Sequence, residues 1–279
     1  MAYKAPVRDL TFILNDVLEI DRYANHPGFA DVSSDLVGQI LEEGAKFAEE
    51  VIAPLNRVGD LEGCKWDNGK VTGPTGWKEG YQQMVAAGWP ALSALPEHGG
   101  QGMPAVVAMA FGTMTAAASP AFSMYPGLTA GAYWGLNANG SDELKARYLP
   151  KMATGEWGGT MNLTEPQCGT DLGLIRTKAV PNDDGSYNIT GQKIWISSGE
   201  HDFTDNIIHL VLARIEGAPA GIKGISLFVV PKVFVNDDGS LGERNVGAAC
   251  GGLEHKMGIH GNATCVMNYD NAKGWLVGT

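Results

Sequence analysis

The chain changes character across Trp157-Gly-Gly-Thr-Met-Asn-Leu-Thr-Glu-Pro-Gln-Cys-Gly-Thr-Asp171. Upstream of about Glu156, apolar residues recur at helical spacing. From Trp157 onward, short runs rich in β-branched and aromatic residues alternate with clusters of Gly, Asn and Asp. The quoted stretch opens the second texture. A strand with apolar Met161 and Leu163 runs into Thr164-Glu165-Pro166, where Pro166 biases Glu165 towards an extended backbone. Gly169 then lets the chain turn or approach a ligand closely. The strand end offers backbone N–H groups and the hydroxyls of Thr164 and Thr170 within a few residues. Those residues alone suit a planar, hydrogen-bonding heterocycle and an ordinary strand-to-loop turn equally well.

The helical half is marked by caps and stripes. Leu36, Val37, Ile40, Leu41, Phe47, Ala48, Val51 and Ile52 lie on one face of a helix over Asp35–Ala53, with Ser34 as its N-cap and Pro54 as its stop. A second helix runs from about Gly76 to Ala87 and ends at Gly88. Pro104 and Pro126 suit first helical positions, and Ser141 caps Asp142–Leu149, which Pro150 closes or kinks. No charged residue occurs from Gly99 to Ser141. That run is rich in Ala, Gly, Ser and Thr and is broken by prolines, so it reads as buried helices and not as a membrane span.

The β half comprises runs at Trp157–Leu163, Tyr187–Ile196, Ile207–Ala213, Ile225–Val230 and Thr264–Tyr269. Asn-Asp-Asp-Gly at Asn182–Gly185 and again at Asn236–Gly239 marks two hairpin corners. The expected fold class is α+β: a helical domain over residues 1–155, then an antiparallel β-barrel or sandwich over residues 156–279.

Composition narrows the function. The 279 residues are 44% apolar and 18% charged, as in a globular protein. A net charge of −11 disfavours a nucleic-acid surface but still allows an anionic cofactor held by local donors. Cys64, Cys168, Cys250 and Cys265 form no CxxC pair, and the N-terminus is no secretory leader, so reduced thiols and a cytoplasmic location are expected. Gly99-Gly100-Gln101-Gly102 follows no strand and no GKS or GKT occurs, which removes the dinucleotide and P-loop readings. Cys250, His255, His260 and Cys265, each five residues apart, lack the tight ligand pairs of a zinc site, and no metal is expected. Ser197-Ser198-Gly199-Glu200-His201-Asp202 lacks a nucleophile elbow and reads as a surface loop.

Thr164-Glu165-Pro166-Gln167-Cys168-Gly169-Thr170-Asp171, followed by Gly191-Gln192-Lys193-Ile194-Trp195-Ile196-Ser197, resembles the paired flavin motifs of the acyl-CoA dehydrogenases. Further family-like pieces keep the same order. They are Gly88-Trp89, Pro96–Gly102, Arg147–Lys151, Gly155-Glu156, Lys256–Ile259 and Leu276–Gly278. The long opening segment is similar to the larger, bacterial-type subgroup. The resemblance implies FAD enclosed by an α domain, a β domain and a C-terminal four-helix domain. It implies that Met161, Asn162, Leu163 and Thr164 border the isoalloxazine, with Trp195, Ile196 and Ser197 beside it, and that Gly169 and Thr170 lie by the acyl-CoA. It further implies α,β-dehydrogenation to a 2,3-enoyl-CoA, an electron-transfer flavoprotein as acceptor and a homo-oligomer in the full-length protein. The family's catalytic glutamate sits on the C-terminal domain, which lies outside this sequence. The expectation is therefore a chain with no catalytic base and negligible turnover by itself. A non-catalytic acyl-CoA- or flavin-binding module, and a related oxidase or monooxygenase, are the alternatives.

Overall fold

The computed structural model describes residues 2–278. The helical half contains α1 (Val7–Thr11), α2 (Ser34–Phe47), α3 (Ala53–Glu62), α4 (Trp77–Ala86), α5 (Ala105–Ala118), α6 (Pro120–Asn139) and α7 (Asp142–Ala153). A small hairpin, β1 (Lys65–Asp67) and β2 (Lys70–Thr72), interrupts it. The β half contains β3 (Gly158–Asn162), β4 (Lys178–Pro181), β5 (Tyr187–Ser197), β6 (Ile207–Ile215), β7 (Ile225–Pro231), β8 (Val233–Val235), β9 (Leu241–Arg244), β10 (Ala248–Leu253) and β11 (Thr264–Val277).

Several helix boundaries move from their expected places, each for a local reason. Ser33, not Ser34, caps α2: its extended backbone lets Oγ accept from Leu36 N–H at 3.2 Å, while the Ser34 hydroxyl turns to Asp21. The helix does not stop at Pro54. A π-helical turn over Ala48–Ile52 widens the ladder and passes into α3, whose first turn takes the proline. Pro126 lies inside α6, because Ser119 and Pro120 already provide a cap and a start six residues earlier. Pro104 stands one residue before α5, and Pro150 is carried within α7. Gly88 ends α4 with φ of 76°, and Ser141 caps α7. The uncharged run becomes α5 and α6, which are buried along one face, around Phe111, Met114, Phe122 and Leu136, and leave Met109 and Trp134 exposed on the other. Among the described residues, no helix is long and apolar enough to cross a membrane.

The strands close on themselves. Pairing runs β11–β5–β4–β6–β7 and returns to β11, forming a barrel, with β10 added on β11 and β3 on β6. Most pairs are antiparallel, as expected, but β3 and β4 both run parallel to β6. The two Asp-Gly corners join β4 to β5 and β8 to β9, with φ of 79° at Gly185 and 81° at Gly239. Strands β4, β8 and β9 are too short to show an alternation. In β10, Ala-Ala-Cys-Gly-Gly-Leu carries almost no β-branched signal.

Three apolar clusters hold these parts. One lies among α2, α4 and α5 around Leu41, Trp77, Phe111 and Met114, and one fills the barrel around Ile189, Phe228 and Met267. The third joins the halves: Tyr133, Leu136 and Tyr148 of α6 and α7 pack on Ile208, Leu210 and Val229 of β6 and β7. At that seam α6 approaches β3 closely enough to exclude a side chain. A Cβ at Gly159 would stand 2.7 Å from Ala132 Cβ and 3.2 Å from Thr129 Cα, and Gly159 N–H donates to Thr129 Oγ1 at 3.0 Å. Gly159→Ala must push α6 away from the sheet. We expect it to lower the thermal midpoint by several degrees, corresponding to about 1–3 kcal/mol of overpacking. An unchanged midpoint in calorimetry would show that α6 yields freely.

Candidate functional site

The quoted motif folds into a tight turn at the end of β3. Glu165 and Cys168 exchange backbone hydrogen bonds at 2.8 and 3.0 Å. Beneath this turn lies a fully buried ion pair. Glu165 Oε1 accepts from Lys193 Nζ at 2.9 Å, from Thr177 Oγ1 at 2.6 Å and from Thr177 N–H at 3.0 Å. Its Oε2 accepts from Arg176 N–H at 2.8 Å and from Gln167 Nε2 at 2.6 Å. Lys193 also donates to Leu163 C=O at 3.1 Å. Burial by itself would raise the Glu165 pKa, but the Thr177 hydroxyl, Lys193 and the Arg176 N–H outweigh it and hold the carboxyl down at about 2. Burial lowers Lys193 from its ordinary value, and Glu165 opposes that shift. A carboxylate so fully engaged is a fastener and not a base.

Strand β5 supplies the neighbouring surface. Between Lys193 and Ile196 the register against β11 shifts by a bulge, and Trp195 sits at φ of 60°, a left-handed conformation that bulky residues rarely adopt. The bulge throws the indole outward, where it is 42% exposed with Lys256 Nζ 5.0 Å from its ring centre. Met161, on β3, is 38% exposed. Leu163, Thr164 and Ser197 are half-buried and Thr170 is exposed, so an apolar, hydroxyl-bearing surface spans the ends of β3 and β5. The two strands meet where Ile194 N–H donates to Thr164 C=O at 2.9 Å. Gly169 has no positive φ, and a Cβ there would make only ordinary contact with Thr164 at 3.4 Å. Packing within the chain does not demand this glycine; it keeps the surface open.

Two of the expected site residues face the other way. Asn162 is completely buried and hydrogen-bonded to Thr160 and Tyr269, and Ile196 is buried in the barrel core. The period-two alternation of a strand turns each inward between outward neighbours, so neither side chain reaches the surface. Across the ladder from Ser197 stands Thr264, whose hydroxyl is buried without a partner. Thr264 and Lys256 also line an open depression of about 320 Å³, bounded by Glu62, Cys64, His255 and His260. The evenly spaced Cys250, His255, His260 and Cys265 separate: both thiols lie in the barrel core, and the imidazoles line this depression with their centres 4.9 Å apart and their planes tilted by 33°. The 197–202 segment is not the surface loop its polar residues suggested: Ser198, Glu200 and His201 are buried, Glu200 because Lys232 and Arg244 neutralise it, and burial pushes His201 down to about 3. Sequence reasoning passed over the Glu165–Lys193 pair. Its signal was a lysine in phase with inward Ile189 on β5.

This architecture, a helical layer on a β-barrel whose strand ends present an open wall, is that of a recognised enzyme class. The family model for the acyl-CoA dehydrogenase N-terminal domain matches residues 37–156, and that for the middle domain matches residues 160–272. A 3-methylmercaptopropionyl-CoA dehydrogenase of Ruegeria pomeroyi is 47% identical over 278 residues, covering 100% of this chain and 47% of the relative. A butyryl-CoA dehydrogenase of Syntrophomonas wolfei is 40% identical, covering 99% of this chain and 46% of the relative. The crystal structure of an acyl-CoA dehydrogenase complexed with FAD from Bacillus anthracis superposes with a TM-score of 0.71 at 25% identity, covering 90% of this chain and 38% of that one. The chain belongs to the acyl-CoA dehydrogenase family. It spans about half the length of the curated relatives it matches.

The buried pair sets a test. Lys193→Met leaves Glu165 charged and uncompensated, and should cost about 3–5 kcal/mol in urea unfolding. Glu165→Gln/Lys193→Met should recover part of that loss. Because the Glu165 pKa is depressed from 4.5 to about 2, its contribution is complete above pH 4.5 and disappears as the pH falls towards 2. Glu165→Gln should therefore flatten the acid limb of the stability curve in that window. An acid limb identical to the parent's would contradict this assignment.

Proposed function

We propose that this chain supplies the FAD- and acyl-CoA-binding wall of an acyl-CoA dehydrogenase. The observation that carries the reading is the exposure of Met161 and Trp195, with half-buried Leu163, Thr164 and Ser197, at strand ends joined by the Ile194 N–H to Thr164 C=O bond. Large apolar side chains stand exposed there, and Trp195 is held outward by a strained backbone. Strain of this kind, about 1–2 kcal/mol, persists at sites where the surrounding fold enforces it. A flat aromatic heterocycle fits such a wall. Met161, Leu163 and Trp195 offer apolar contact, while Thr164 and Ser197 bring hydroxyls to its edge. The unpartnered Thr264 hydroxyl, next to Ser197, fits a polar group bound nearby. Thr170 and Gly169, at the open end of the turn, suit the acyl-CoA.

Bound FAD would supply the hydride acceptor for converting an acyl-CoA thioester to its 2,3-enoyl-CoA. The chain's own residues bind and orient, and their apolar side chains keep water from the reacting carbons. Proton abstraction is a different matter. Glu165, the carboxylate nearest the wall in sequence, is saturated with donors and held anionic far below the range of a working base. The family resemblance, and not any feature of Glu165 alone, assigns removal of the α-proton to a glutamate of the C-terminal domain outside this sequence, and on that reading the isolated chain would have negligible turnover. An electron-transfer flavoprotein as acceptor, a homo-oligomeric full-length enzyme and a cytoplasmic setting belong to the same reading. The free thiols of Cys64, Cys168, Cys250 and Cys265 accord with the last.

Titration of FAD into the purified chain tests the reading. We expect saturable quenching of tryptophan fluorescence and a perturbed flavin absorption band, without acyl-CoA-dependent reduction of an artificial acceptor. No saturable quenching would favour a module that binds acyl-CoA or a protein partner without redox chemistry. Rapid turnover by the chain would disprove the assignment of the base elsewhere. Trp195→Gly should weaken FAD binding without lowering the thermal midpoint, since glycine accepts the positive φ and strain relief offsets its greater unfolded-state entropy.

A further inference from the structure

Asn162 occupies a position where strand packing favours an apolar residue. Strand β3 lies at the end of the pairing path, laddered to β6, and its inward positions Thr160 and Asn162 are both completely buried. Burying a hydroxyl and an amide is unfavourable unless partners await them. Here the partners form a chain. Tyr269 Oη donates to Asn162 Oδ1 at 2.8 Å, Asn162 Nδ2 donates to Thr160 Oγ1 at 2.8 Å, and Thr160 Oγ1 lies 2.8 Å from His209 Nδ1. Since Asn162 already donates to Thr160, the threonine hydroxyl is free to donate onward to an unprotonated His209 Nδ1. Burial, with Lys232 and Arg244 nearby, pushes His209 down to about 3, so the imidazole is neutral at physiological pH.

Three strands contribute to this chain. Thr160 and His209 are direct register partners on β3 and β6, and Tyr269 reaches them from β11 across the barrel. A slip of one residue would turn Asn162 out and Met161 in. A slip of two would keep the faces but part Asn162 from Tyr269 and Thr160 from His209. Apolar side chains at these places would tolerate the second slip; the hydrogen bonds do not.

We propose that Tyr269, Asn162, Thr160 and His209 are positioning residues that lock β3 in register and so hold Met161, Leu163 and Thr164 at the wall. Asn162 thus serves the site through this relay and touches no ligand. The consequence for FAD rests on the reading given under Proposed function, whereas the lock itself is measurable without any cofactor.

The experiment compares the parent chain with Tyr269→Phe, Asn162→Ala and, as a remote control of similar cost, Ser141→Ala, which removes the cap of α7. Tyr269→Phe keeps the shape of the barrel core, so it serves if Asn162→Ala fails to fold. Amide hydrogen exchange is followed over residues 160–164 and FAD affinity by tryptophan quenching. Tyr269→Phe should accelerate exchange in β3 about tenfold, with little change elsewhere, and weaken FAD several-fold; Ser141→Ala should do neither. Combining Tyr269→Phe with Asn162→Ala should add little to either alone, because both break one link. Unchanged exchange in β3, or a uniform increase over the whole chain, would overturn the lock. If the parent takes up no FAD while β3 exchange responds, the flavin reading fails and the lock stands. If FAD binds parent and variants alike with β3 exchange unchanged, the lock fails and the flavin reading stands.

Discussion

The buried ion pair between Glu165 and Lys193 ties together the parts of the chain that form the proposed binding wall. Glu165 belongs to the turn that ends β3, Lys193 to the middle of β5, and the N–H groups of Arg176 and Thr177 to the approach to β4. Lys193 also takes the Leu163 carbonyl, which gives the wall's own backbone a fixed partner. A single salt bridge of this kind is weak evidence for net stability, because desolvation of both charges offsets their attraction. Its value lies in specificity. Two charges and their donors must meet in one geometry, and that geometry sets where β3 ends relative to β5.

Above this fastener, the surface is assembled from features that cost local free energy. Trp195 lies in a left-handed backbone conformation at a bulge, and large apolar side chains remain in water. Below it, inward positions that could have been apolar carry Thr160, Asn162 and His209. The surrounding barrel, packed around Ile189, Phe228 and Met267, supplies the stability that such a site consumes. Rigid support beneath and a strained, open face above are what a binding surface needs to be preorganised.

The helical layer is fastened to the barrel at points that leave no slack. Trp77 of α4 lies against Gly59 of α3 and Gly261 of the β half, both too close to accept a side chain. Tyr125 of α6 donates to Gly261 C=O at 3.2 Å and accepts from Ala263 N–H at 3.0 Å, while its ring packs on His201 and Phe203. These contacts run into the loop that leads to Thr264, opposite Ser197. The helices are thereby joined mechanically to one side of the wall through packed aromatic rings and shared hydrogen bonds.

Much of this was legible in the linear sequence, because it depends on near neighbours. Helical stripes, the cap at Ser141, the terminator Gly88, the Asp-Gly corners and the switch from helix to strand near Trp157 all follow from local periodicity and backbone preference. The paired segments around Thr164 and Trp195 were legible only through their resemblance to a known family's flavin motifs, since their residues alone suited an ordinary turn equally well. Boundaries at Pro54 and Pro126 were not, since a π-turn and an earlier cap absorbed those prolines. The facing of Asn162 and Ile196, the parallel docking of β3 on β6 and the closure of β7 on β11 were decided only by the tertiary structure. So were the pairing of Glu165 with Lys193 and the reach of Tyr269 to Asn162. Each brings together groups far apart along the chain, and only the closed barrel, where burial makes an unpaired polar group costly, selects which of them meet.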